Sequence, residues 1–259
     1  MTTRDIVMSC WRMDPVAILG CAAAAIVYAA GGRAGVGARA TAFAAGLLAT
    51  ALALLSPVGT LADGYLFSAH MLQHLMLVLI VPPLLLLGIE PSDAGRARFP
   101  AILAWGLGVG AMWLWHAPTL CNAASRSAAV HRFQEVSLLV MGAAFWWPIL
   151  APRTGERLPP LGGIVYLFTA CVACTLLGVA ITFSPVEVCS VFAHPVDRLG
   201  IMPQVRDGWG LSAERDQQIG GLLMWVPACL VYGAAILSVL ARVLRDAAPV
   251  RKYGAGQTS

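Results

Sequence analysis

The sequence predicts an all-α, polytopic membrane helix bundle. Of its 259 residues, 59% are hydrophobic and only 12% are charged, and the mean hydropathy is +0.76. A typical soluble domain carries about 25% charged residues. The apolar residues also fall into runs close to the length of about 20 residues that an α-helix needs to cross a bilayer. We therefore predict a single integral membrane domain at 1–259, without a soluble module.

Seven apolar segments can be drawn as transmembrane helices. They lie at 15–30, 40–57, 67–88, 101–117, 130–150, 162–184 and 218–242. The first, second and fourth are short for a span, which needs about 17–25 residues. Pro82 and Pro83 should kink or break the third helix, because proline lacks the backbone N–H and clashes with the preceding turn. Gly106, Gly108 and Gly110 predict a close helix contact in the fourth.

The N-terminus does not have the charge pattern of a cleavable signal peptide. Asp5 and Asp14 precede the first apolar run, whereas Arg33 and Arg39 follow it. A signal peptide has a basic region before its apolar core. We therefore expect the first run to be retained as a helix.

The basic residues predict an outside N-terminus and a cytoplasmic C-terminus. In that orientation the cytoplasmic segments hold ten of the 17 lysines and arginines: Arg33, Arg39, Arg96, Arg98, Arg153, Arg157, Arg242, Arg245, Arg251 and Lys252. An excess of Lys and Arg marks cytoplasmic loops. The basic residues form no stripe of the kind that nucleic-acid binding requires. We therefore expect a multi-pass protein of the inner (plasma) membrane that contacts the lipid bilayer and no nucleic acid.

Two histidines at the start of the third segment are the first candidates for a functional site. His70 and His74 lie four residues apart, which puts both imidazoles on one helix face, one turn apart. Two imidazoles placed in this way can bind one metal ion. An ionisable residue in a transmembrane segment is costly and is a functional candidate for that reason. Packing at the membrane interface is the structural alternative.

The predicted topology brings four more polar residues to the same membrane face. His116 ends the fourth segment, and His131 and Glu135 begin the fifth at helical spacing. Asp216 begins the seventh. In an alternating topology all of these positions lie near the outer face. We therefore predict a metal site formed by His70, His74, His116, His131, Glu135 and Asp216.

Structural alternatives stay open for these four residues. His116 lies in a tryptophan-rich stretch that is typical of an interfacial aromatic belt. His131 could be a solvated residue at a helix start. Glu135 could pair with Arg132 at i,i+3. Asp216 could favour a helix N-terminus through the helix dipole.

Several residues outside this set add further expectations. Met71 and Met76 could provide soft thioether ligands to copper, although methionine is common in apolar helices. His194 is expected to be exposed in the long sixth loop, which could lie over the site. Cys121 and Cys189 both fall outside the apolar segments, and an oxidising periplasm would permit a disulfide between them.

Three stretches of the chain resemble the signatures of one known family. They are HMLQHLMLVLIVPPLLLLG at 70–88, WLWHAPTLCNAASRSAAVHRFQEVSLLVMGAAFWWPIL at 113–150 and WGLSAERDQQIGGLLMWVPA at 209–228. In this order they are similar to the signatures of the CtaG family of cytochrome c oxidase assembly proteins, a polytopic family linked to caa-type oxidases. The resemblance covers most of the chain. It departs at Glu135, where the family pattern leads us to expect a histidine, and a carboxylate suits Cu(I) less well than imidazole does.

The resemblance implies an assembly factor or metal chaperone rather than an enzyme. It implies a role in the maturation of a haem-copper oxidase, with membrane-embedded oxidase subunits as partners and copper handled at the outer face. The residue types agree with copper independently, because imidazole suits copper and thioether suits its cuprous form. The sixth loop would then gate transfer to the partner.

Three other functions are weighed against this one. Histidines on facing helices could bind haem iron axially in a haem-binding or haem-modifying protein. A metal-dependent membrane hydrolase could use three histidines and Glu135 as general base, although the chain has no H-E-x-x-H motif. A transporter would tend to place its polar site nearer the bilayer midplane.

Overall fold

A computed structural model describes residues 2–33, 37–90 and 100–247 of the chain. All regular structure within these ranges is helical, which confirms the all-α prediction for them. In chain order the α-helices are α1 (Thr3–Ser9), α2 (Pro15–Tyr28), α3 (Ala38–Leu55), α4 (Pro57–Ala62), α5 (Phe67–Leu75), α6 (Val81–Gly88), α7 (Ala101–Trp115), α8 (Pro118–Arg126), α9 (Ala128–Leu150), α10 (Pro160–Thr182), α11 (Ser190–Ala193) and α12 (Ala213–Ala247).

Five helical stretches are long and apolar enough to cross a membrane. They are Ala38–Leu55, Phe67–Gly88, Ala128–Leu150, Pro160–Thr182 and Ala213–Asp246. Two further apolar helices are shorter, at Pro15–Gly31 and Ala101–Trp115, where the sequence predicts spans at 15–30 and 101–117. The described chain is therefore an all-helical membrane protein with five candidate spans. Four basic residues behind the predicted orientation lie outside the described residues: Arg96, Arg98, Arg251 and Lys252.

The third apolar stretch is interrupted at its two consecutive prolines. Between α5 and α6 the backbone forms a π-helical turn at Met76–Ile80. The carbonyl oxygen of Val78 would normally accept a hydrogen bond from the backbone N–H four or five residues later. Pro82 and Pro83 occupy these two positions, and proline has no N–H to donate. Trp146 of α9 donates its indole N–H to this carbonyl at 3.0 Å. The carbonyl left free by the prolines thus forms a hydrogen bond that holds the third stretch against α9.

Glycines permit the closest helix crossings. A Cβ added to Gly108 of α7 would lie 2.6 Å from the Cβ of Phe145 on α9, and one added to Gly178 of α10 would lie 2.6 Å from the Trp225 ring of α12. At Gly106 and Gly110 an added Cβ would meet no described atom within 4 Å. The predicted close contact of the fourth segment therefore depends on one glycine of the three.

The hydrophobic core lies between the third apolar stretch and helices α7, α9, α10 and α12. Its fully buried members include Met71, Leu138, Phe145, Leu167 and Ala170. The buried histidines lie at the end of this core where α5 and α9 begin and α7 ends. A polar cluster thus sits directly beside the packed apolar interior.

Candidate metal centre

Four histidines form a continuous cluster at this end of the bundle. The rings of His70 and His74 on α5 have their centroids 4.1 Å apart. His131 of α9 lies 5.8 Å from His70, and His116 at the end of α7 lies 5.3 Å from His74. All four are at most 5% exposed. The structure therefore brings together the four predicted histidines from three helices.

Most ring nitrogens in this cluster lack a well-formed hydrogen bond. Both nitrogens of His70, both of His74 and Nε2 of His131 are buried without a hydrogen bond of good geometry, although the backbone of Ala62 lies near His70 and the Gln134 side chain near His74. The same holds for the amide atoms of Gln134 and for Oε1 of Gln73. Buried polar groups are normally paired, because leaving one unpaired costs about 1–3 kcal/mol. The cluster therefore has several ring nitrogens available to a ligand.

The two outer histidines are oriented by their Nδ1 atoms. Nδ1 of His116 lies 2.5 Å from the carbonyl oxygen of Met112. Nδ1 of His131 lies 3.3 Å from Oδ1 of Asp63. An N–H directed at a carbonyl or carboxylate leaves the lone pair on Nε2, which is how metal-binding histidines are commonly held. In both rings Nε2 is therefore the nitrogen available to accept a bond.

Asp63 is a residue of the site that the sequence does not single out. Its side chain is 47% exposed, and its contact with His131 joins the loop before α5 to α9. This contact holds the pKa of the Asp63 carboxyl below its ordinary value. The only signal in the sequence is an isolated acidic residue in a loop without basic residues. Asp63 therefore belongs to the site because its carboxylate orients the ring of His131.

Glu135 faces the cluster from α9. One of its oxygens accepts a hydrogen bond from Nε2 of Gln73 at 3.1 Å and lies 3.9 Å from Nε2 of His131. Arg132, the alternative i,i+3 partner, forms its ion pair with Asp14. Glu135 is thus placed to add a carboxylate oxygen to the histidine cluster.

Asp216 lies at the start of the histidine helix. Its carboxylate accepts hydrogen bonds from the backbone N–H groups of Phe67 at 2.7 Å and Ser68 at 3.0 Å, and from the Ser68 hydroxyl at 2.5 Å. The N-cap residue of α5 is Leu66, whose side chain offers no acceptor. The first N–H groups of a helix need such partners, and a negative charge is favourable there. Asp216, predicted as a ligand, therefore occupies the position of a helix cap.

A charged rim lies beside the His131 end of the cluster. We use this name for Arg12, Asp14, Asp63 and Arg132. Asp14 pairs with Arg132 and, at 3.0 Å, with Arg12, which also lies 3.3 Å from Asp63. Asp14 also caps α2 by accepting from the N–H of Val16 at 2.9 Å. The hydrogen bond from Arg132 holds the pKa of the Asp14 carboxyl well below its ordinary value.

The sixth loop lies over the cluster, as the sequence suggests it could. The ring of Phe192 on α11 lies 5.1 Å from that of His70. A disulfide between Cys121 and Cys189 ties this loop to α8. The loop is therefore tied to α8 just before the point where Phe192 packs against His70.

A cleft of about 910 Å³ opens beside the rim. Its polar lining includes Arg12, Asp63, Arg126, His194 and Arg198. His194 is 81% exposed and lies 3.7 Å from Glu187, in keeping with the expectation of an exposed loop residue. Because Asp63 lines the cleft and also contacts His131, the cleft reaches the cluster at that residue.

The cluster is a chain of neighbouring rings rather than a finished coordination shell. Among the described residues, no group of three or more His, Cys, Asp or Glu side chains is already arranged to hold one ion. Each ring contacts the next one along the row. Side-chain rotation would therefore have to accompany metal binding.

Residues 21–246 match the family model described as cytochrome c oxidase caa3 assembly factor (Caa3_CtaG). The chain belongs to this family. It is accordingly a member of a family of oxidase assembly factors, and the resemblance inferred from the three signatures is confirmed.

Curated relatives of this Caa3_CtaG member are distant in sequence. An uncharacterised protein of Mycobacterium leprae is 27% identical over 209 residues, which cover 70% of this chain and 30% of that protein. One of Mycobacterium bovis is 28% identical over 257 residues, covering 85% of this chain and 37% of that protein. The chain thus spans about a third of the length of these relatives. No solved structure matches the chain.

The Caa3_CtaG match covers the cluster but only part of the charged rim. All six predicted site residues, together with Asp63 and Arg132, lie inside 21–246. Arg12 and Asp14 precede the matched range. The family match therefore includes every candidate ligand.

Proposed function

We propose that this assembly factor binds copper as its cargo near the outer membrane face and helps to insert it into cytochrome c oxidase. The observation that carries the proposal is the set of five buried ring nitrogens, on His70, His74 and His131, that form no hydrogen bond of good geometry within the described chain. Imidazole nitrogen is a suitable ligand for copper. A bound ion would satisfy nitrogens that otherwise cost stability.

The proposed ligands come from three helices. His70 and His74 present two imidazoles from α5, and His116 and His131 each present Nε2. Glu135 adds a carboxylate at the end nearest His131. Asp63 would hold His131 in its tautomer, and Asp216 would hold the start of α5. We assign these last two residues to positioning.

The proposed membrane arrangement puts this cluster outside. We propose that the two shorter apolar helices also span the inner membrane, which gives seven spans with the N-terminus outside and the C-terminus in the cytoplasm. The count of basic residues supports this orientation. The Cys121–Cys189 disulfide supports it independently, because disulfides persist in oxidising compartments and this one lies at the same end as the histidines.

Two features suit the passage of an ion to a partner. The cleft beside Asp63 gives access from the outer side. Phe192 covers His70 and would move away when the ion leaves. We propose membrane-embedded oxidase subunits as the recipients, with the sixth loop as the gate.

Copper content measured by elemental mass spectrometry tests the proposal. Detergent-purified wild type is compared with a His70→Ala/His74→Ala variant and with His194→Ala, a matched control whose histidine is exposed in the sixth loop. After equal copper loading, we expect near-stoichiometric copper in wild type and His194→Ala, and its loss in the double variant. A folded wild type without copper, or equal copper in all three proteins, would refute the proposal.

A visible absorption spectrum separates copper cargo from the haem alternative. A haem spectrum in the purified protein that disappears in the His70→Ala/His74→Ala variant would make the histidines axial ligands. We expect no such spectrum and the same copper content whether or not haem is added.

A further inference from the structure

The imidazole of His116 lies between two atoms that accept hydrogen bonds and cannot donate them. Its Nδ1 lies 2.5 Å from the carbonyl oxygen of Met112, and its Nε2 lies 3.1 Å from Sδ of Met71. A carbonyl oxygen has no hydrogen to give, so Nδ1 must carry the proton. In the neutral ring Nε2 then has only a lone pair, and it faces the lone pairs of a thioether.

This contact is unfavourable without a third partner. The two atoms are in direct contact at 3.1 Å, and the pair is shielded from solvent because Met71 is 0% and His116 is 5% exposed. A second proton on His116 could point at the sulfur, but it would place a positive charge in a buried apolar setting, which is costly. A soft cation bound by both atoms resolves the conflict, since imidazole and thioether are both ligands for Cu(I).

Packing holds Met71 in this position. On α12, a Cβ added to Gly220 would lie 3.1 Å from Cγ of Met71. The glycine therefore leaves the space that the methionine side chain occupies. Met76, the other candidate thioether, packs against the apolar core from the π-helical turn.

A third ligand lies beside this pair. His74 is three residues beyond Met71 on α5, so the two side chains share a helix face. The ring of His74 is 5.3 Å from that of His116. Two imidazoles and one thioether thus lie together at the His116 end of the row of rings, whereas Asp63 contacts His131 at the other end.

We propose that Met71 is a thioether ligand and forms, with His74 and His116, a site selective for Cu(I). This inference rests on the proposed copper function and specifies the oxidation state of the cargo. The carboxylate-bearing end at His131 is harder and is not part of the selective site. Met71 discriminates Cu(I) from divalent ions because thioether sulfur is a poor ligand for harder cations.

Competition with a colorimetric Cu(I) chelator tests this inference. The full-length protein in detergent is titrated under anaerobic conditions with ascorbate, as wild type, Met71→Leu and the matched control Met76→Leu. Leucine replaces methionine with little change in volume, so both variants should fold. We expect Met71→Leu to weaken Cu(I) binding by at least about tenfold, since even the loss of a supporting group weakens metal binding by 10–100-fold. Zn(II) affinity should stay unchanged in both variants.

X-ray absorption at the copper edge provides a second readout. We expect a sulfur neighbour of copper in wild type and Met76→Leu, and none in Met71→Leu. A wild type that binds no copper in either oxidation state would refute the proposed function itself. A wild type that binds Cu(I) without a sulfur neighbour, or equal weakening in both variants, would overturn the role of Met71 and leave the copper function standing.

Discussion

The histidine cluster and the charged rim are adjacent but use their polar groups in opposite ways. In the rim, Asp14 pairs with both Arg12 and Arg132 and also caps α2. In the cluster, the nitrogens of His70 and His74 form no hydrogen bond of good geometry with the described residues, although the Ala62 backbone and the Gln134 side chain lie near them. Paired polar groups contribute to stability, whereas buried unpaired ones reduce it. The difference supports the proposal that the rim maintains the fold and that the cluster binds a ligand.

The largest expected effect is that of His74→Leu, which should separate binding from stability. Copper affinity should fall by on the order of 100-fold or more, because a direct ligand matters at least as much as a group that supports one. The thermal stability of the metal-free protein should change little, because neither ring nitrogen forms a hydrogen bond of good geometry. Competition titration and thermal unfolding in detergent measure the two effects, with His194→Leu as control. A large loss of metal-free stability would show that the cluster is structural.

Asp216→Ala should behave like a rim substitution although Asp216 was predicted as a ligand. It leaves two backbone N–H groups and the Ser68 hydroxyl without their acceptor, so we expect a loss of about 2 kcal/mol or more in the free energy of unfolding. The matched control is Glu214→Ala in the same turn of α12. Among the described residues, the Glu214 side chain forms a hydrogen bond only with Gln218. Unfolding by denaturant measures both. If Asp216→Ala removed copper binding without any loss of stability, Asp216 would be a ligand after all.

Asp63→Asn tests the residue that joins the two regions. An amide can no longer hold the Nδ1–H of His131 through a charged contact, so Cu(II) affinity at the harder end of the cluster should fall by about tenfold, at the lower end of the usual 10–100-fold range. Stability should change little, because the side chain is 47% exposed. Glu187→Gln is the control, since Glu187 is 50% exposed and contacts His194 outside the cluster. Unchanged affinity, measured by chelator competition, would remove Asp63 from the site.

The smallest expected effect is that of Asp14→Ala, which should cost about 1 kcal/mol of stability through the lost helix cap and leave copper affinity unchanged. The folded-state pKa of Asp14 is depressed by the hydrogen bond from Arg132. Its carboxylate therefore stabilises the fold above the unfolded pKa of about 3.9, and this contribution is lost as the pH falls through the lower folded pKa. The difference in melting temperature between wild type and variant should thus shrink below about pH 4. A constant difference across this range would contradict the assignment.

Local rules explain which predictions from the sequence succeed. The i,i+4 spacing of His70 and His74 determines that their rings meet, because the helix backbone alone sets that geometry. The same kind of rule allows Glu135 to pair with Arg132, yet Arg132 pairs with Asp14, which lies 118 residues away in the chain. A local pairing rule is therefore reliable only where no side chain from another helix competes for the same partner.

The sequence by itself determined that this is an all-helical membrane protein of an oxidase assembly family, because apolar length, helical spacing and ordered motifs are properties of the chain. Only the tertiary structure decided how the polar residues divide their roles. The contact of Met71 with His116, the support of His131 by Asp63 and the capping of α5 by Asp216 join segments that are 45 to 149 residues apart. Such contacts depend on the depth and rotation of one helix against another, which packing sets and spacing along the chain does not.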